Sequence, residues 1–498
     1  MIPGFMMVFL LVGYTLLWSA PPKDTVVIAQ GVDPSTLDPQ DHYESTAFNV
    51  LLNVYETLFQ RDDHMILQPL LATYSKLIND TTWEFGLRKG VKFHNGEDFN
   101  AAAVKFSLER FTDPKNKLKQ TTLQGVIARV DIVDEHTVRV ITSKPYPYLD
   151  AQLGHIGAIL PPQYTQEKGK GISTHPVGTG PYKFVRWVKD DQLVLEANEN
   201  YWRGAPRIKK VIFRPIPEAT TRVAGLQTQE LDLIVNIPPH LSGLMNWKGR
   251  SVAAKVPGTR VIFVALDNTS GGPVADKKVR QAIAQAINLD TILKKVLDGN
   301  GVKLGVPLTK NHFGYDPSIK PYPYDPEKAR KLLAEAGYAQ GFDLTLNSPS
   351  GRYLNDKEVA EAVTGDLRKV GIRASVKIYE WGTYMSMLYA HKGGPAFLLG
   401  AGGVTLDADG TLFINFRTGQ VYSSYSNPKF DALLDEARAT MDRSKRQKLY
   451  TQALQIYKEE VICAFCYQQI DIYGISERLN WKPRSDEKLI VYNMSFKK

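Results

Sequence analysis

Three observations predict an α/β fold with more than one subdomain: the chain's length, a strand-rich first half, and a strand–helix–strand unit in the second half. At 498 residues the chain exceeds what one hydrophobic core serves, so two or three subdomains are expected. Apolar and polar residues alternate through 83–87 and 126–143, the pattern of half-buried strands. Residues 342–347, 356–370 and 373–379 read as strand, helix, strand. That order needs a crossover and makes the two strands parallel.

The elements follow in chain order. Residues 24–30 (DTVVIAQ) are β-rich and close in the turn GVDPSTLDP, 31–39. Phe48, Leu51, Leu52, Tyr55 and Leu58 at helical spacing predict a helix over 44–59. The strand at 83–87 continues into RKGVKFHNGEDF, a hairpin with a Gly turn. Asn100 caps a predicted helix over 101–111. Two strands in 126–143 turn at Asp134 and Glu135. Near residue 262 the pattern changes to α/β. An apolar strand at 261–266 ends in DNTSGG, and helices are predicted over 276–288, 291–297 and 326–336, the last ended by Gly337. Amphipathic helices over 427–440 and 444–459 precede strands that return toward the C-terminus. The chain shows no internal repeat and no low-complexity linker.

With 43% hydrophobic and 23% charged residues, long disorder is excluded. The net charge of +9 is spread along the chain. Its densest groups, Arg207, Lys209 and Lys210, then Arg443, Lys445, Arg446 and Lys448, form no basic arm. A solvated basic surface is expected, with no nucleic-acid partner. Residues 1–20 carry no charged side chain, and 5–18 form an apolar run of signal-peptide length. The n-region lacks Lys and Arg, Trp18 stands where a small residue is preferred, and Pro21 follows Ala20. The segment is therefore a signal peptide or an N-terminal anchor, since about 18 apolar residues can span a bilayer. Either way the chain from Lys23 onward is exported. With no Cys near residue 20, a lipid anchor is disfavoured. The only cysteines, Cys463 and Cys466, lie in a strand-like run that sends them to opposite faces. Buried free thiols are expected, because zinc would need a second pair.

Enzyme motifs are missing. The chain has no HExxH, GxSxG or GxxxxGK[ST], and Gly299, Gly301 and Gly305 miss the dinucleotide spacing. Neither a catalytic reaction nor a cofactor is expected. The nine histidines (His42, His64, His94, His136, His155, His175, His240, His312 and His391) include no i, i+4 pair, so no metal site is predicted.

Eight motifs then fall in one order. They are GVDPSTLDP; WEFGLRKGVKFHNGEDFNAAAVKFSLER (83–110); HPVGTGPYKFVRW (175–187); NENYWRGAP (198–206); VRQAIAQAIN; YDPEKARKLLAEAGY; and GRYLNDKEVAEAVTGDLRKVGI, with YSNPKFDALLDEAR after it. Over 24–495 this series resembles the extracellular solute-binding proteins of ABC importers, family 5, the peptide and nickel class. The resemblance implies a two-lobed fold like the type II periplasmic binding proteins, in the large peptide-binding class, with an extra third subdomain. Lobe I would comprise 24–45, 175–262 and 472–498, with 46–174 as its additional subdomain, and lobe II would comprise 263–471. Crossing strands near 260–266 and 469–474 would form the hinge. The implied partners are a small-molecule or peptide ligand and a membrane permease with its ATPase. The protein would be a periplasmic monomer. Gly178 and Gly180 suit a tight turn with close backbone approach, and Tyr201 and Trp202 read as aromatic anchors of the fold.

Peptide binders resembling this chain hold an α-amine with a carboxylate and a C-terminal carboxylate with a cation. A buried charge needs an opposite one, and Arg offers a bidentate fork. Asp407 and Asp409 in GAGGVTLDADGTLF are the carboxylate candidates. Arg352 in SGRY is the cation candidate, with Lys357 second. Trp381 and Tyr384 in YEWGTY are candidates for an aromatic wall. Gly400, Gly402 and Gly403 replace a Trp common before the acidic segment, which points to a roomier pocket or a non-peptide ligand. Nickel complexes, opines, glycan fragments and a sensing role without a transporter stay open.

Overall fold

The strand predicted at 261–266 is the end of a longer one, Ser251–Leu266, which runs antiparallel to Cys463–Ser476. The computed structural model describes residues 22–403 and 405–497, and this strand pair is its axis. The two strands sit inside an eleven-stranded sheet. Beside Cys463–Ser476 come Leu233–Ile234, Thr25–Gln30, Lys210–Pro215, Gln192–Ala197 and Tyr182–Val188. Beside Ser251–Leu266 come Ala396–Gly402, Asp343–Pro349 and Arg373–Tyr379. The last two pair in parallel, Leu344 against Ala374, as the β-α-β reading requires.

Register between the central strands breaks between Pro257 and Val261. Pro257 donates no N–H, and a Cβ at Gly258 would come within 2.5 Å of Asp471 Oδ2. A bulge bends its strand, and this one falls where the neighbours of the pair change. Residues 251–257 pair with the end of Cys463–Ser476 that meets Leu233–Ile234, whereas 260–266 pair with Ala396–Gly402.

Hydrophobic burial follows the same division. One cluster, mostly from 261–472, includes Phe263, Leu398 and Tyr457. A second unites Val26, Phe213 and Leu233 with Leu489 and Val491. A third draws only on 48–159, around Phe85, Val104 and Val140. This region carries its own four-stranded sheet, Ala72–Asn79, Thr82–Leu87, Thr137–Thr142 and Ile127–Asp134 in spatial order. Helix Ala101–Thr112 covers it, with Asn100 Oδ1 accepting from the Ala103 N–H at 3.1 Å. Such a cap contributes about 1 kcal/mol.

The helix predicted over 44–59 stops early, at Ser45–Leu51. Its continuation is captured by the Gly-Thr-Gly turn. Gly180 N–H donates to Val54 O, and Tyr182 N–H donates to Asn53 O, both at 2.9 Å. A Cβ at Gly178 would sit 2.1 Å from Val54 O, so only glycine admits this approach. Glu56 then joins two motifs. It accepts from Thr179 Oγ1 at 2.8 Å, Tyr201 OH at 2.6 Å and Trp202 Nε1 at 2.9 Å. Cys463 and Cys466 are buried free thiols on Cys463–Ser476. The predicted signal peptide or anchor, 1–20, lies outside the described residues.

Candidate functional site: a cleft across the central strands

A cleft opens over the central strand pair. One wall is built from Tyr43, Glu44, Phe48, His155 and Lys488, and the facing wall from Arg352, Tyr353, Trp381, Asn415 and Tyr422. Arg260, next to the bulge, forms part of the lining between them. Contacts also cross the cleft, since the Tyr43 and Tyr422 rings meet edge-on with centroids 6.1 Å apart.

Arg260 has every arm engaged. Its Nε and Nη2 grip Glu487 at 2.5 and 2.9 Å, Nη2 also donates to Ser45 Oγ at 2.8 Å, and Nη1 donates to Gly400 O at 2.7 Å. The Glu487 charge outweighs burial and holds the Arg260 guanidinium above its ordinary range.

Arg352 differs. It is only 4% exposed, yet among the described residues its guanidinium makes no hydrogen bond, and Nε is buried without a partner. Glu487 Oε2 stands 3.8 Å from Nη2, already held by Arg260. The rings of Tyr353 and Trp381 lie 5.0 and 5.4 Å from the guanidinium carbon. Burial, then repulsion from Arg260, pushes the Arg352 pKa down. The backbone that carries Arg352 is fixed by Asp356, whose carboxylate accepts the N–H groups of Gly351, Arg352 and Tyr353 at 2.9–3.0 Å.

The opposite wall offers the complementary charge. Glu44 is buried, with Oε1 taking the Ser35 hydroxyl at 2.6 Å and Oε2 without a partner among the described residues. Burial raises its pKa. Trp381, at the start of helix Trp381–Tyr389, has its Nε1 buried and, among the described residues, without a hydrogen-bond partner. The cleft thus presents a cation fork, a carboxylate oxygen and aromatic faces, which together suit an amphoteric solute.

The other predicted residues lie elsewhere. Asp407 caps helix Ala408–Phe416 and takes both arms of Arg446 at 2.7 Å. Asp409 is 1% exposed and lies 3.2 Å from Arg438 Nη1. Arg438 itself reaches the 46–174 region, donating to Thr122 O at 2.8 Å and Tyr146 OH at 3.2 Å. Neither aspartate lines the cleft. Lys357 is half exposed on helix Asp356–Lys369, 4.0 Å from Glu361. Tyr384 is a core residue that donates to Leu398 O at 2.7 Å. Of the three glycines, Gly400 and Gly402 line the cleft and Gly403 does not. A Cβ at Gly400 would strike the Tyr353 ring at 2.7 Å, and one at Gly403 would strike His312 Nε2 at 1.6 Å. The room left at Gly400 and Gly403 is filled by protein.

With this geometry in place, comparison with known proteins is decisive. The model of the bacterial extracellular solute-binding proteins, family 5 (middle), matches residues 67–423. The chain belongs to this family. As a family 5 protein it is an exported, periplasmic solute-binding component of the ABC-importer class, which binds peptides or related small ligands and is not a catalyst. The glutathione-binding protein GsiB of Pectobacterium atrosepticum is 34% identical over 450 residues, covering 88% of this chain and 86% of that protein. GsiB of Escherichia coli O157:H7 is 32% identical over 448 residues, covering 87% of each. Among solved structures, the periplasmic binding protein DppA of Helicobacter pylori, in complex with the peptide STSA, superposes with a TM-score of 0.88 at 26% identity. The match covers 95% of this chain and 98% of that one. AgaA of Agrobacterium tumefaciens R10, in complex with agropinic acid, gives 0.87 at 25% identity, covering 95% and 99%.

The sequence reading of this solute-binding protein missed Glu44, Arg260, Glu487 and Lys488. Arg260 stood at the edge of the predicted hinge strand, which was a usable signal. Glu44 and Lys488 sit in polar stretches without a motif, and nothing local marks them.

Proposed function

We propose that this protein captures a peptide, or a similar small polar solute, by hinge closure and delivers it to a membrane permease driven by its ATPase. The observation that carries this reading is the buried Arg352 guanidinium, which makes no hydrogen bond among the described residues, in a cleft that also holds a Glu44 oxygen without a hydrogen-bond partner there. A buried charge without a partner costs several kcal/mol. A ligand carboxylate on Arg352 and a ligand ammonium at Glu44 would remove both penalties at once. The two groups come from opposite walls, so a ligand that spans them favours the arrangement with the walls together. The moving bodies are residues 24–262 with 472–498 and residues 263–471, with the bulge at 257–261 as the bend.

The relatives support a peptide. GsiB is by name a glutathione-binding protein, and the DppA structure holds a tetrapeptide. The protein acts as a monomer and does not bind nucleic acid.

Paired mass spectra, native and denatured, of protein purified from its own periplasm test this reading. A peptide-sized mass difference with peptide fragments is expected. A metal adduct or a sugar-derived mass in its place would overturn it.

A further inference from the structure

Lys488 is a second cation in the cleft, and the reading above makes no use of it. It is 5% exposed, whereas lysine is almost never buried unless paired. Among the described residues its ammonium has no carboxylate within 4.0 Å and no hydrogen-bond acceptor. Of the two acids that precede it in sequence, Glu487 is held by Arg260 and Asp486 by Arg484. The two Asp486 oxygens take Arg484 Nε and Nη2 at 2.9 and 2.8 Å, and Oδ1 also takes the Lys488 N–H at 3.3 Å. The other groups around Lys488 do not neutralise it. His155, on the same wall, is half-buried with Nδ1 buried and unpartnered among the described residues, and desolvation lowers its pKa so that it stays neutral. Arg61 and Arg484 repel it, and burial with that repulsion lowers the Lys488 pKa against the pull of Asp486.

The charges of the cleft therefore sort into two groups. Arg260 with Glu487, and Arg484 with Asp486 and the exposed Asp63, are held in hydrogen-bonded ion pairs. Arg352, Lys488 and Glu44 have no such bonds. Arg352 has only Glu487 at 3.8 Å, already held by Arg260, and burial raises the pKa of Asp471, which acts on both arginines, so two cations face the Glu44 carboxylate.

We propose that Lys488 forms a second carboxylate subsite, so that the preferred ligand is a peptide with two carboxylates and one ammonium. Acidic and γ-glutamyl peptides belong to this class, and neutral peptides do not. The inference rests on the peptide reading and narrows it. Arg352 takes one carboxylate through its planar fork, Lys488 takes the other as a point charge, and Glu44 takes the ammonium.

Calorimetry with three probes tests the assignment: reduced glutathione, Ala-Ala-Glu and tri-alanine. On the unaltered protein at least one acidic probe is expected to bind tenfold or more tightly than tri-alanine. Lys488→Met is expected to erase that margin and leave tri-alanine within twofold. Lys488→Arg, which keeps the charge, is expected to retain the margin. Thermal unfolding confirms that each variant folds, and Lys488→Gln replaces Lys488→Met if the latter does not. A margin absent from the unaltered protein, or one that persists in Lys488→Met, overturns the second subsite alone. If none of the three probes binds, the peptide reading falls and this inference with it.

Discussion

Arg352 and Arg446 are both buried arginines of the 263–471 half, and they illustrate two fates of a buried charge. Arg446 places Nη1 and Nη2 on the two oxygens of Asp407 at 2.7 Å each, and Nη2 reaches Tyr450 OH at 3.0 Å. Arg352 makes no such bond and faces the cleft. The acidic segment at 407–409 resembled a ligand site in sequence, but its aspartates are held by Arg446 and Arg438. Burial alone therefore does not mark a binding residue. A buried charge whose hydrogen-bonding capacity is left open toward a cavity does, because a ligand is then what completes it.

The largest effect that separates the two sites is on stability. Asp407→Ala leaves Arg446 buried without its carboxylate and removes a helix cap. A loss of about 3–5 kcal/mol is expected, read as a lower midpoint in denaturant. Unchanged stability would show that Arg446 needs no partner there. Arg352→Gln should behave in the opposite way. Affinity for the peptide identified by mass spectrometry should fall at least tenfold, about 1.4 kcal/mol. The melting temperature should hold or rise, since a repelled, unpaired cation has been removed. A calorimetric Kd within twofold of the parent would take Arg352 out of the site.

A smaller effect concerns the histidines beneath these regions. Burial lowers His42 to about 3 and His312 to about 4, against an ordinary value near 6.5. The unfolded chain therefore gains these protons first as the pH falls. Stability from each is complete above about pH 6.5 and declines toward pH 4, by up to roughly 1.4 kcal/mol per unit. His42→Gln should flatten the fall in melting temperature between pH 7 and 5, and an unaltered slope would assign the acid sensitivity to other groups. The smallest effect belongs to Lys357→Ala. The side chain is exposed and its Glu361 contact is 4.0 Å, so stability should change by less than about 0.5 kcal/mol and ligand affinity not at all. A tenfold loss of affinity would bring Lys357 into the site.

Much of the local structure was legible because its causes are local. Asn100 and Asp325 cap the helices the sequence placed after them. Gly337, at φ +85°, ends helix Pro326–Glu335 in the left-handed region that glycine tolerates. The β-α-β order at 343–379 required the parallel pair that the sheet contains. The failures have long-range causes. The helix at 44–59 was cut short by Gly178 and Gly180, more than a hundred residues away, whose close approach claims the carbonyls of Asn53 and Val54.

By itself the sequence determined the family, the α/β class, most helix starts and part of the central strand pair. Periodicity, caps and turn chemistry act within a few residues, and the motif order is a property of the chain. Which charges are available to a ligand was decided by the tertiary structure. Glu44 and Lys488 line one cleft from opposite ends of the chain, and Asp407 is neutralised by an arginine 39 residues later. The energy of a buried charge depends on everything packed around it, and that sum exists only once distant segments have met.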